Sequence, residues 1–391
     1  MELQRLISYY KKRKVLYKMA LYFKCNAKDR ALLQALIMII AGYFAIAFIS
    51  CESSTEKEIK TEKLRAERER ISIEQPKHLQ LFTVGDSITT HFSLQNISDP
   101  DSIVVDFNGN KFRIEENKNS FNVSTYNSPV GTRIIKIMAY KNGSIIVGSA
   151  AIVLKSDIKP VNYTYRMLHK YPHDIKLFTQ GLVYDNGYIY EGTGQYGESK
   201  LLKYKLNTGE LIQSYKLPDD VFGEGIVLLD NSVFQLTWQS GVAFQFDRET
   251  FQMTNKFIIQ TEGWGITNYK DKFIMSDGSN ILYVLNPGSF DVVKRIEVYD
   301  HMGPVTQLNE LEYINNKIYA NVYLTEDIVI INPENGKVEG RINMKGLFFN
   351  CDKQNKADVL NGIAWKGEKN RLLLTGKLWS NIFYIEYLEL N

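Results

Sequence analysis

At 391 residues the chain is too long for one ordinary domain of roughly 100–200 residues and long enough for two cores. Its 44% hydrophobic and 12% aromatic content, with 24 Tyr and 20 Phe, excludes a disordered or collagen-like chain and favours strands. The formal charge of +3 is an effect of the head: residues 1–50 hold nine Lys/Arg against two Asp/Glu, leaving −4 on the remainder, which gives no electrostatic ground for a nucleic-acid partner.

Residues 1–51 read as an export segment. A basic head leads into ALLQALIMIIAGYFAIAFIS, Ala31 to Ser50, an uncharged run that ends at Cys51. A Cys directly after such a run, followed by Glu52-Ser53-Ser54, resembles the lipobox of bacterial lipoproteins, in which the thiol is acylated and becomes the mature N-terminus. Lipidation at Cys51 predicts an exported, membrane-anchored protein of a bacterial envelope, periplasmic or surface-facing. About 20 apolar residues also suffice for an uncleaved spanning helix, and a start at Met19 would leave a more ordinary signal. Beyond this segment Cys351 stands alone, so no internal disulfide and no Cys/His zinc cluster is expected.

Residues 52–77 are almost wholly polar, with charges of both signs at helical spacing such as Glu56 with Lys60. Lacking an apolar stripe, they read as a solvated linker. Residues 78–157 alternate in strand fashion through LQLFTV, ITTHFSL, SIVVDF, KFRIEE, TRIIKIMAY and SIIVGSAAIVLK, divided by turn residues. Six or seven short strands in that space predict a small immunoglobulin-like β-sandwich with nothing catalytic in it.

Residues 158–391 repeat themselves. QGLVYDNGYIYEGTG, EGIVLLDNSVFQLTW, WGITNYKDKFIMSDG, ELEYINNKIYANVY and NGIAWKGEKNRLLLTGK share a small-residue step, an apolar strand, a turn and a second strand, and start at Gln180, Glu224, Trp264, Glu310 and Asn361. The intervals of 44, 40, 46 and 51 residues, each also holding a second strand–turn–strand unit, are those of four-stranded propeller blades. The prediction is an all-β chain whose C-terminal part is a five-bladed β-propeller. Its last repeat is one strand short, and NYTYRMLHKYPH, Asn162 to His173, supplies the missing outer strand to pair with the segment near Asn381 to Leu388 and close the ring.

Residues that begin each repeat converge at one mouth of a propeller. Two carboxylates, two carboxamides and an indole there suit a small polar ligand better than a purely structural ring. FTQGL at Phe178, FGEGI at Phe222, LTW ending at Trp238, EGWG at Glu262, LNELE at Leu308, NGIAW at Asn361 and LTGKLW at Leu374 resemble, in order and spacing, the plant and bacterial glutaminyl-peptide cyclotransferases. The resemblance covers Asn162 to about Leu390 and leaves the N-terminal part outside it.

That resemblance implies an acyltransferase that converts the N-terminal Gln of peptides or proteins to pyroglutamate with release of ammonia. It implies Glu224 as the acid and Lys377 as a cation toward the amide oxygen. Phe178, Phe222, Trp238 and Trp264 match the family's aromatic walls, and Gln180 and Asn309 its polar anchors. Tyr323 stands where the family commonly has Trp. Glu310, equivalent to Glu224 in the repeat, is a rival acid or a helper, and Asn361 completes the substrate-binding set. The implied chemistry needs no cofactor, while Glu224, Glu310 and Asn361 leave room for a structural calcium in the channel. Two rivals stand beside it: a non-catalytic surface propeller gripping a peptide or glycan, and a metal-dependent hydrolase propeller.

Overall fold

The computed structural model describes residues 68–353 and 358–390. Cys51, the export segment and most of the expected linker lie outside the described residues. Arg70 to Asn391 forms one unit, and its described residues are strands, turns and a single 3₁₀ turn at Leu347–Asn350.

Strand begins earlier than the composition suggests. Arg70–Gln75, placed in the charged linker by its polarity, pairs antiparallel with Ser87–Gln95. It alternates: Ile71 enters the core while Arg70 and Glu74 stay in water, so only one face needs to be apolar. Ser120–Ser124 is a further strand, short and mostly polar, on the other side of Ser87–Gln95. These three strands form one sheet. Gln80–Thr83, Ser144–Lys155, Gly131–Lys141, Ser102–Phe107 and Asn110–Ile114 form a second, in that order, with Gln80–Thr83 parallel to its neighbour. Ile71 and Phe92 of the first sheet share a buried cluster with Ile103, Ile137 and Ala139 of the second. At roughly 1.5–3 kcal/mol per large apolar side chain buried, such a seam holds two small sheets face to face.

From Thr179 onward the chain runs in four-stranded antiparallel meanders. Three are separate sheets, spanning Thr179–Lys216, Gly223–Ile258 and Ile266–Glu297. The rest forms one eight-stranded sheet. Leu308–Ile314, Lys317–Val322, Asp327–Ile331 and Val338–Asn343 lead through Val161–Pro172 to Asn381–Glu389, Arg371–Gly376 and Leu360–Ala364. Val161–Pro172 is the expected closing strand: it pairs antiparallel with Asn381–Glu389 from Asn381↔Pro172 to Glu389↔Tyr163. Its first residues also run parallel to Gly340–Ile342, which fuses two meanders into one sheet.

Burial follows position in each meander. The first strand, for example Gly223–Leu229, is buried nearly throughout, whereas the fourth, Leu211–Lys216 or Met253–Ile258, is mostly exposed. First strands touch in succession from Thr179–Asp185 round to Leu360–Ala364, and the last touches the first. The architecture is all-β and propeller-like. Turn chemistry sets the register of the hairpins: Asn186 and Gly187 both take positive φ between Asp185 and Tyr188, the two-residue turn that matches strand twist. The small-residue step of the repeats has a physical cause as well. A Cβ on Gly181 would lie 2.4 Å from the Ile226 nitrogen, and one on Gly265 2.1 Å from the Asn309 oxygen, so only glycine admits the neighbouring backbone.

The two-sheet part meets the meanders through Val130 N–H to Asn335 O at 3.0 Å, Ser156 N–H to Asp300 O at 3.1 Å and Thr132 N–H to Glu297 Oε1 at 2.8 Å. None of these residues belongs to the site described next.

Candidate active site

The predicted site residues come from three structural positions. Gln180, Glu224, Asn309, Glu310 and Asn361 lie at the starts of first strands; Phe178 and Phe222 immediately precede such strands, and Trp264 stands two residues before Ile266–Tyr269. Trp238, Tyr323 and Lys377 directly follow the second strands Ser232–Thr237, Lys317–Val322 and Arg371–Gly376. Antiparallel pairing brings both sets to the same end, as Gly223↔Thr237 and Leu308↔Val322 show.

There the side chains form a closed circuit of contacts. Phe178 meets Phe222 edge-on with centroids 6.1 Å apart, and Phe222 meets Trp238 at 5.6 Å. Trp238 Nε1–H donates to Glu262 Oε2 at 2.8 Å, and Trp264 Nε1–H donates to the same oxygen at 3.0 Å. Trp264 meets Tyr323 edge-on at 5.6 Å. Lys377 Nζ closes the circuit, 5.0 Å from the Tyr323 ring centre and 4.7 Å from that of Phe178. Five aromatic rings are thus joined at one point by a cation and at another by an anion. Tyr323 fills the position expected for Trp and keeps its ring contact.

Glu224 is buried beside this circuit and accepts a hydrogen bond from Gln180 Nε2 at 2.7 Å. Burial pushes its carboxyl well above the usual range; Lys377 opposes that shift, Glu262 adds to it and the Gln180 bond offsets part of it. Burial in turn lowers the Lys377 ammonium, against the pull of Glu224 and Asp358. The environment therefore raises the acid and lowers the ammonium, the opposed shifts expected where a buried carboxyl and a cation face one another at a functional site.

The other polar residues divide. Asn361 Nδ2 donates to Thr179 O at 3.0 Å and to Gln180 Oε1 at 3.3 Å, fixing the amide that serves Glu224. Asn361 Oδ1 and Asn309 Oδ1 are buried with no hydrogen-bond partner among the described residues. Glu310, predicted as a rival to Glu224, has both oxygens engaged by main chain: Leu182 N–H reaches Oε1 at 3.3 Å and Ile363 N–H reaches Oε2 at 2.8 Å. It ties first strands of three meanders together. Glu312, which sequence reasoning passed over, is half-buried, and desolvation pushes its carboxyl up to about 8, against the Trp365 N–H and Thr267 bonds.

Glu262 was legible as the first residue of EGWG but carried no assigned role. Tyr196, which packs edge-on to Phe222 at 5.5 Å while mostly exposed, had no motif to mark it. Among the described residues no group of three or more His, Cys, Asp or Glu side chains is placed to hold a metal ion.

Residues 143–387 match the glutamine cyclotransferase family, and the chain belongs to that family. A glutaminyl-peptide cyclotransferase of Arabidopsis thaliana is 37% identical over 221 residues, 56% of this chain and 69% of that protein. The crystal structure of Myxococcus xanthus glutaminyl cyclase superposes with a TM-score of 0.56 at 31% identity, over 60% of this chain and all of that one. Both alignments leave roughly two fifths of the present chain unmatched.

Proposed function

We propose that this protein is an acyltransferase that cyclises N-terminal glutamine of peptides or proteins to pyroglutamate. The observation that carries the reading is the Glu224–Gln180 pair, a buried carboxyl with raised proton affinity beside a closed aromatic circuit, in a chain of the glutamine cyclotransferase family. The α-amine of the substrate attacks its own side-chain amide carbon, a C–N bond forms, the original C–N bond breaks and ammonia leaves. Since the substrate supplies the nucleophile, the enzyme must supply a folded substrate conformation and a proton for the departing nitrogen.

Glu224 is the group for that proton, and it regains one from the attacking amine. Lys377 stands ready for the amide oxygen as charge gathers on it. Phe178, Phe222, Trp238, Trp264 and Tyr323 enclose the glutaminyl side chain, with Gln180, Asn309 and Asn361 as polar anchors. The free Oδ1 of Asn309 is an acceptor for the substrate's amine or amide N–H. Glu310 supports the site from the strands. Incubating a Gln-initiated peptide with the protein and weighing the product tests the reading: a product lighter by one ammonia supports it, and an unchanged peptide removes it. Family membership disfavours the rival of a non-catalytic peptide- or glycan-binding propeller.

The finer architecture belongs with this reading. The five four-stranded meanders are taken as the blades of a five-bladed propeller, residues 158–391, with the two-sheet part as an immunoglobulin-like sandwich. Export and membrane attachment through a lipid on Cys51 place the enzyme at a bacterial envelope, with no nucleic-acid partner. No cofactor is needed for the chemistry. The calcium set read from the sequence, Glu224, Glu310 and Asn361, does not fit the ion: both Glu310 oxygens face main-chain N–H groups and Glu224 accepts from Gln180.

A further inference from the structure

Glu262 is the member of the circuit whose chemistry the cyclisation reading leaves unused. Its Oε2 receives two indole N–H groups, from Trp238 at 2.8 Å and Trp264 at 3.0 Å, and its Oε1 receives Gln239 Nε2 at 3.0 Å. We propose that Glu262 is a positioning residue for cyclisation: one carboxylate oxygen holds both tryptophans by their N–H edges and leaves their ring faces as pocket wall. The proposal rests on the cyclisation reading and deepens it.

Three features separate this arrangement from a surface glutamate bonded in passing. The two indoles come from different meanders, so the bonds fix the width between two walls rather than the shape of one turn. Bonds to an ionised acceptor are shorter and about twice as strong as neutral ones, which suits a joint that must hold two bulky rings against substrate entry. Trp264 is also trapped on its other sides. A Cβ on Gly278 would lie 2.7 Å from its ring, and Tyr323 packs against it edge-on at 5.6 Å. Gln239, Trp264 and Trp238 hold the Glu262 carboxyl below its usual range despite partial burial, so the joint stays charged. That charge also acts on Glu224, in the same direction as burial does.

The chain has four tryptophans, and the other two serve as internal controls. Trp365 and Trp379 donate their N–H groups to the carbonyl oxygens of Glu368 and Asp358, both at 2.8 Å. The test is nitrogen-15 NMR of the indole N–H groups in the full-length chain labelled at tryptophan, together with cyclisation kinetics. In Glu262→Gln, which keeps size and an acceptor but loses the charge, the Trp238 and Trp264 signals should move while the Trp365 and Trp379 signals stay. The alkaline limb of kcat/KM should also shift to lower pH, because a charge that raised Glu224 has gone. Glu262→Ala, which removes the joint, should raise KM roughly ten-fold, with kcat falling by less.

Unmoved Trp238 and Trp264 signals in Glu262→Gln would overturn the proposal, as would wild-type KM in Glu262→Ala. Should the alanine variant fail to fold, the glutamine variant still decides. The NMR readout does not depend on turnover, so shifted indoles in a protein that cyclises nothing would sink the cyclisation reading alone.

Discussion

Gln180 donates from Nε2 to Glu224 Oε1 at 2.7 Å, and the two residues begin the first strands of successive meanders. The Glu224 carboxyl, the proposed proton donor, is therefore held by the repeat architecture itself. Glu224→Gln keeps the size and the contact but cannot exchange a proton. It should lower kcat by ~10²–10⁴-fold with little change in KM, measured on a Gln-initiated peptide.

Charges around Glu224 predict shifts of opposite sign. Lys377 and the Gln180 bond both favour its ionised form, so Lys377→Ala or Gln180→Leu should raise its proton affinity and move the alkaline limb of kcat/KM to higher pH. Lys377→Ala and Trp264→Ala should also affect KM at least as much as kcat, since both line the circuit. A limb that stays put in Lys377→Ala would mean that Glu224 does not set it.

Glu310→Gln should behave as a stability variant. An amide can offer only one oxygen to the Leu182 and Ile363 N–H groups and leaves the other facing a donor, at a cost of about 1–3 kcal/mol. A clear drop in Tm with kcat less affected than in Glu224→Gln is expected. The reverse pattern would make Glu310 the acid.

Glu312 predicts a pH dependence of stability. Its carboxyl is raised to about 8 in the folded chain, above the ordinary 4.5 expected when unfolded. A raised acid contributes stability that is complete below the unfolded value and is lost as pH rises toward the folded one. Between those two values the folded state binds the extra proton, and the loss amounts to roughly 5 kcal/mol at most. Wild-type Tm should therefore fall from pH 5 to pH 8 more steeply than that of Glu312→Gln. Parallel curves would contradict the assignment.

How far the sequence carried the argument depends on where each signal resides. Ring positions were legible because a glycine step follows Gln180, Glu224, Trp264 and Asn361, forced at the first three by backbones too close for a Cβ and at Gly362 by a φ of 120°, and because the spacing repeats. The closing strand was legible because the last repeat lacks a partner, and Val161–Pro172 takes that place. Arg70–Gln75 was missed since two Ile among charged neighbours do not stand out as a strand until a sheet is there to bury them. Glu310 looked like a second acid in the pattern; that both its oxygens meet main-chain N–H groups depends on neighbouring strands that no motif displays. The same holds for the buried bonds of Glu191 to His173, Thr179 and Tyr204, and for the double indole contact of Glu262, whose partners converge only in three dimensions.

The most direct test is ammonia release from a Gln-initiated dipeptide, followed for the wild type, Glu224→Gln and Glu310→Gln in parallel at several pH values. Release by the wild type, its near-abolition in Glu224→Gln and its persistence in folded Glu310→Gln is the predicted result. No ammonia from the wild type, or near-normal release from Glu224→Gln, would contradict the central claim that Glu224 transfers the proton in glutamine cyclisation.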